Sequence, residues 1–334
     1  MSESQYNSVN DERLRGLSDW LALKVPAGFS LTPLATDAGM RRYFRLCNAQ
    51  STLVAVDANP DTEDNNAFIA IEQRIRQCGL QVPQIHHYNL EKGFLLIEDL
   101  GNTHLQQWLS DNADSQALMY QRACDALIQM QQRAHAHNLP VFEREFILFE
   151  LGIFKEWYLH RHLRIDTEGS ISHLLDPVNE ALVSNCEAQP QVFMHRDFHC
   201  RNLMVTPAQQ LAIIDFQGAM LGPVTYDPGS LLRDIYVQVP ATLENDLCEH
   251  HRQSVLPHVN RQQYRRWYQL TALQRHLKIM GLFCRLHYRD AKPQYLALLP
   301  TVKKHITETL NQYPEFKAFN QWFDTLDKSR SVAP

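Results

Sequence analysis

The hydrophobic pattern of this chain changes period part-way along, and that change limits the folds open to it. Up to Gly101, short apolar runs alternate with turn residues: FSLTPL, RRYFRLCN, STLVAVDA and the pair IHHYN and GFLLIEDLG. Side chains alternate between the two faces of a strand, so these runs predict a small antiparallel sheet. One helical stretch, NNAFIAIEQRIRQC, is inserted after Asn59-Pro60 and closed by Gly79. An amphipathic helix precedes the sheet, with Leu14, Leu17, Leu21 and Val25 on one face. Beyond Gly101 the apolar residues step by three and four, as Tyr120, Ala123, Leu127, Met130 and Ala134 do. FILFELGIFKEWYLHRHL reads as a further helix, and residues 263–289 as a third, long one. The expected fold is therefore α+β in two parts: a strand-rich lobe over 1–100 and a larger, mainly helical lobe over 101–334. A length of 334 residues, more than one core usually fills, agrees with that division.

Composition narrows the function classes. The formal charge of −5 argues against a bulk nucleic-acid binder, which is normally basic. No long apolar window exists to cross a membrane, and the N-terminus lacks an apolar signal core, so a cytoplasmic location is expected. The seven cysteines are scattered and never in C-x-x-C spacing, which fits reduced thiols better than disulfides or zinc. The pairs His135/His137, His160/His162 and His250/His251 lack metal-binding spacing and read as surface or helix-end residues. Residues 261–292 hold eight Lys/Arg against one acid, Asp290. A solvated basic face is the expected reading; attraction of an anionic substrate or RNA is the alternative. No obligate protein partner is expected.

Chemistry concentrates in His195-Arg196-Asp197-x-x-x-x-Asn202, with Asp215-Phe216-Gln217-Gly218 close behind. The first motif is weak alone; the second, at short distance, makes the pair specific. VFM and LMV flank the first and LAII precedes the second, so short strands are expected to hold the polar residues at turns. Phosphoryl transfer needs positioning and charge neutralisation more than covalent help. A carboxylate (Asp215) and an amide oxygen (Asn202) suit Mg²⁺, which prefers hard oxygen ligands. A separate carboxylate (Asp197) can accept the proton of an attacking hydroxyl, and His195 can brace the loop. The competing reading is that Asp197 and Asp215 merely cap turns.

The two motifs resemble the catalytic and metal loops of the protein-kinase-like fold. HRDFHCRN with IDFQG is similar to the aminoglycoside phosphotransferase and choline kinase branch, which phosphorylates small molecules. The resemblance spans almost the whole chain. It implies ATP and Mg²⁺ as cofactors, Asp197 as catalytic base, Asn202 and Asp215 as metal ligands, and Glu98, Asp99 and Leu100 as the hinge whose backbone meets adenine. It also matches Glu72 to the helix glutamate of kinases. DAGMRRYFR, VAVDANP and GFLLIEDLG further resemble the bacterial kinases that phosphorylate the anomeric hydroxyl of N-acetylmuramic acid and N-acetylglucosamine in cell-wall (peptidoglycan) recycling. An amino sugar is thus the expected acceptor. An aminoglycoside phosphotransferase is the alternative within the class, and a non-catalytic nucleotide-binding pseudokinase the alternative outside it.

Two departures stand out. Glycine is scarce in TDAGMRR, and Asp57 closes VAVD where kinases carry a strand lysine. A carboxylate facing phosphate unpaired would cost about 4 kcal/mol at 4 Å and an effective dielectric of 20. The expectation is that Arg41, Arg42 or Arg45 supplies the missing cation, with Asp57 holding one of them. For the acceptor, His199 and Arg201 in the catalytic loop are candidates, as are Glu150, Trp157 and Tyr158, since an aromatic face plus a carboxylate can hold a sugar. Core packing is the competing reading for the aromatics.

Overall fold

The computed structural model describes residues 11–34, 40–48, 51–167 and 171–326, so the TDAG turn at 36–39 lies outside the described residues. The strands in chain order are β1 (Ser30–Leu34), β2 (Arg42–Cys47), β3 (Thr52–Asp57), β4 (Ile85–Asn89), β5 (Phe94–Glu98), β6 (Gln191–Met194), β7 (Leu203–Val205), β8 (Leu211–Ile213) and β9 (Met220–Pro223). The α-helices are α1 (Glu12–Ala22), α2 (Asn65–Gln77), α3 (Leu105–Asp111), α4 (Gln116–Arg133), α5 (Arg144–Ile153), α6 (Ser172–Glu187), α7 (Tyr226–Leu232), α8 (Ala241–Val255), α9 (Arg261–Tyr288), α10 (Leu299–Leu310) and α11 (Lys317–Thr325). The chain divides into two compact units, one of residues 1–105 with 203–217, the other of 106–202 with 218–334. The hairpin carrying Asp215 thus belongs to the strand-rich unit, although it follows the first helical run in sequence.

In the first unit, a five-stranded antiparallel sheet has the order β1-β2-β3-β5-β4. Helix α1 starts where Asp11 caps the backbone N–H of Leu14. It buries Leu17, Trp20 and Leu21 against Phe44, Leu46, Ala55, Phe94 and Leu96 of the sheet. The β2–β3 register sets Arg42 opposite Asp57. The Asp57 side chain is 2% exposed, and a carboxylate so deep needs partners. Arg42 and Arg13 both donate to it, and Arg42 also reaches Asp11. This resolves how an aspartate ends an apolar strand. β7 and β8 form a separate antiparallel hairpin, whose Met204 and Ala212 cluster with Leu100.

The second unit is organised on α9, most of whose 28 residues are buried. Gly281 lies mid-helix because a Cβ there would meet the Ile153 carbonyl oxygen at 2.2 Å. Where α5 ends at Ile153, the helix widens into a π segment, Phe154–His162. The apolar stretch read as one helix is therefore two helical forms in sequence. β6 pairs with β9. The face of α4 that steps by three and four is buried, Tyr120, Ala123, Leu127 and Met130 included. Among the described residues no helix is long and apolar enough to cross a membrane.

His251 is fully buried between α4 and α9, its Nε2 on the Gln131 amide oxygen and its Nδ1 on the Tyr264 hydroxyl, 2.8 Å each. Burial, with His250 beside it, lowers its pKa from 6.5 to about 3. A depressed histidine stabilises the fold above its unfolded value and loses that contribution as pH falls. Between pH 7 and 5, the wild type should lose on the order of 2 kcal/mol more stability than His251→Gln, which does not titrate. Urea midpoints at the two pH values measure this; parallel losses in both proteins contradict it.

Candidate active site

The catalytic-loop motif is built in the second unit by two buried acids that sequence reading passed over. Both Asp227, at the start of α7, and Asp234, just past its end, are almost fully buried. Asp227 accepts the backbone N–H of His195 at 2.7 Å and of Arg196 at 2.9 Å. Asp234 accepts the backbone N–H of Cys200 at 3.0 Å and of Tyr236 at 2.9 Å. Burial pushes Asp227 up to about 7, against the pull of its two N–H donors. The signal was available in TYDPGSLLRD: an acid within an otherwise apolar, wholly buried helix must be hydrogen-bonded. These anchors hold Arg196 at φ +80°, a left-handed conformation that L residues avoid. His195 is 1% exposed, with its ring edge-on to Phe198.

Asp197, next in the chain, has a side chain 44% exposed. Partial withdrawal from water raises its pKa, but Lys278, His199, Arg275 and Arg196 outweigh that and hold it below the usual carboxylate range. It is an anion at any neutral pH. Asn202 Nδ2 donates to the Asp197 carbonyl at 3.0 Å, which fixes the amide so that its oxygen faces away from that bond. The structure therefore brings Asp197 and Asn202 together within this unit.

Beneath them lies a charged cluster. Glu150 is 1% exposed; its Oε1 meets Arg196 at 2.8 Å and Lys278 at 3.1 Å, and its Oε2 accepts from Gln274 at 3.1 Å. Both oxygens are taken, so Glu150 orders cations instead of receiving a sugar hydroxyl. Tyr158 is a second correction: it is 3% exposed, stacked on Phe154 in the helical core, with no open face for a ring. The Trp157 ring lies under the Arg161 guanidinium at 4.9 Å and packs against that same core. His199 and Arg201 both meet Tyr236, and Arg201 Nε also donates to Gln106 at 2.8 Å. The basic stretch of α9 is likewise not a solvated face throughout, because Arg275 and Lys278 turn inward.

Asp215 belongs to the first unit. It is also left-handed, at φ +61°, and its Oδ1 accepts from the Gln217 amide at 2.6 Å. Phe216 packs tilted against Phe68 of α2, ring centroids 4.9 Å apart. The Arg41 guanidinium sits over the Phe68 ring, 4.6 Å from its centroid, with Nε 3.2 Å from Glu63. Arg41 is 6% exposed, and its Nη1 has no hydrogen-bond partner among the described residues. Tyr43 feels the charges of both Arg41 and Asp215, so these groups share one neighbourhood; burial pushes its phenol up to about 12. Of the other two arginines, Arg42 is spent on Asp57 and Asp11. Arg45 is spent on Asp99, bidentate at 2.7 and 2.9 Å, and on Asn102 and the Gly101 carbonyl. Neither is free for phosphate. Glu98 closes β5 with its N–H on the Gln84 carbonyl, and Leu100 clusters with Met204 of β7 and Ala212 of β8. Glu72 does not reproduce the kinase ion pair: it lies 3.2 Å from Arg76 on its own helix.

Residues 30–269 match the model of the phosphotransferase enzyme family. The chain belongs to that family. It is 36% identical over 324 residues, 92% of this chain and 94% of the relative, to an N-acetylmuramate/N-acetylglucosamine kinase of Pseudomonas putida. Its fold is that of a choline kinase from Streptococcus pneumoniae (TM-score 0.65, 10% identity, 88% of this chain and 99% of that one). An ADP-bound aminoglycoside phosphotransferase shares it as well (TM-score 0.55, 10% identity, 87% and 96%). The phosphotransferase is thus kinase-like in fold, α+β, and enzymatic in class.

Removing Asp227 strands two buried N–H groups. Asp227→Ala should cost about 2–5 kcal/mol, and Asp227→Asn, which keeps one acceptor oxygen, clearly less. Chemical denaturation of both variants measures this; equal stabilities would remove Asp227 as the loop's anchor.

Proposed function

We propose that this phosphotransferase is a cytoplasmic ATP- and Mg²⁺-dependent kinase that places the γ-phosphoryl group on the anomeric hydroxyl of N-acetylmuramate or N-acetylglucosamine, as peptidoglycan recycling requires. The observation that carries the reading is the end-to-end likeness to a relative named for those two sugars. The residue chemistry supports it. Asp197, ionised and half open to solvent, accepts a hydrogen bond from the sugar hydroxyl and orients its oxygen towards phosphorus. Because the transition state of phosphoryl transfer is loose, a weakly basic carboxylate suffices; it takes the proton as the new bond forms.

The residue types suit magnesium. Asp215 offers a carboxylate from a turn whose left-handed backbone turns it out of the β8 line, and Asn202 offers an amide oxygen whose orientation its own Nδ2 fixes. Mg²⁺ held by ligands of these types would neutralise phosphate charge. Arg41 takes the part of the missing strand lysine. Its tether to α2 is the face of Phe68, with Glu63 just ahead of the helix, in place of a lysine–glutamate pair. The backbone of Glu98 to Leu100 is the adenine hinge, stiffened by the Arg45–Asp99 pair.

Two variants test these roles. Asp197→Ala should lower kcat by roughly 10²–10⁴-fold with ATP binding nearly unchanged. Steady-state ADP release with each sugar reads this, and near wild-type turnover excludes Asp197. Arg41→Ala should weaken ATP about 30-fold while leaving adenosine binding as it was, whereas Arg42→Ala should lower stability and spare ATP affinity. Calorimetric titration with both ligands decides; an Arg41 variant that binds ATP like wild type refutes the substitution.

A further inference from the structure

Three cations surround Asp197 and Glu150, and one of them, Arg275, makes no close hydrogen bond to either acid. Arg196 and Lys278 share Glu150. Arg275, one turn before Lys278 on α9, has a side chain only 5% exposed, yet its nearest carboxylate, Asp197, is 4.0 Å from Nη2, beyond hydrogen-bond reach. Its Nε and Nη1 are buried without a hydrogen-bond partner among the described residues. Asp227, also close enough to be felt, has both oxygens filled by backbone N–H groups. A buried guanidinium with idle donors is expensive unless an anion completes it. Its Nη2 is the end nearest Asp197, whose own side chain is 44% exposed.

We propose that Arg275 receives a carboxylate carried by the acceptor, and so makes the enzyme favour an acidic amino sugar over its neutral counterpart. The inference rests on the sugar-kinase reading above. N-acetylmuramate carries its carboxylate on a lactyl arm at C3, whereas N-acetylglucosamine has a plain hydroxyl there. With the anomeric hydroxyl on Asp197, the arm can reach the remaining edge of the guanidinium that flanks it. Arginine suits the task, because its planar fork pairs a carboxylate through two parallel N–H bonds. The same cation cluster repels a polycationic acceptor or a quaternary amine, which sets this pocket apart from one built for aminoglycosides or choline.

Specificity constants test the proposal. Arg275→Met, which keeps the side chain's length, should lower kcat/KM for N-acetylmuramate at least about 30-fold more than for N-acetylglucosamine, and Arg275→Lys should recover part of that ratio. A fall that is equal for both sugars would make Arg275 only a support for Asp197, and an unchanged ratio would make it inert; either overturns the proposal. A second measurement needs no variant. The wild-type enzyme should use the carboxamide of N-acetylmuramate as poorly as it uses N-acetylglucosamine, and equal use of acid and amide refutes the carboxylate contact. If the wild type phosphorylates neither sugar, the sugar-kinase reading itself fails, which is a different result from an unchanged ratio.

Discussion

The candidate site depends on buried carboxylates that grip backbone N–H groups. The loop from His195 to Asn202 has no regular structure of its own, and one of its residues is held in the left-handed region. Left to local preference it would relax, since that conformation costs about 1–2 kcal/mol for an L residue. Asp227 and Asp234 prevent it by satisfying N–H groups at both ends of the turn. Burial makes the loss of either set of hydrogen bonds costly, because it strands N–H groups away from water. The orientation of Asp197 is therefore fixed by residues thirty or more positions downstream, Asp227 on a wholly buried helix and Asp234 just beyond its end.

Electrostatics then divides the charged residues into two kinds. Some spend their charge on structure: Asp57 on Arg13 and Arg42, Asp99 on Arg45, Glu150 on Arg196 and Lys278. Others keep donors or acceptors in reserve, namely Asp197, Arg41 and Arg275. A protein that buries a cation without completing its hydrogen bonds leaves desolvation uncompensated, which is worthwhile only where a ligand supplies the missing partner. Both reserved arginines carry donors suited to phosphate or carboxylate. The reserved acid is suited to a hydroxyl.

Much of this was legible in the sequence because it depends on local periodicity and short spacing. The sheet of the first unit, helices α1, α2, α4 and α9, and the pairing of β4 with β5 follow from alternation, helical stepping and turn residues. The demand that Asp57 find an arginine followed from charge alone, and Arg42 meets it. What could not be read is what depends on packing between distant segments. Arg41, Arg42 and Arg45 are similar neighbours in sequence, and only their carboxylate partners, set by strand register and by residues as far away as Asp99, separate them. Tyr158 looked like a sugar-stacking aromatic, but an α-to-π change beside Gly281 turns it into the core. Arg275 and Lys278 read as part of a solvated basic face because the rest of the chain is acidic. Their position on the buried side of α9 follows from how α5, α6 and α10 cover that helix.

Phosphorus NMR of the product formed from N-acetylmuramate and Mg·ATP tests the assignment most directly. An anomeric kinase gives a phosphorus signal coupled to the proton on C1, with one reducing end lost for each ADP released. A phosphate on any other hydroxyl, which leaves the reducing end intact, contradicts it.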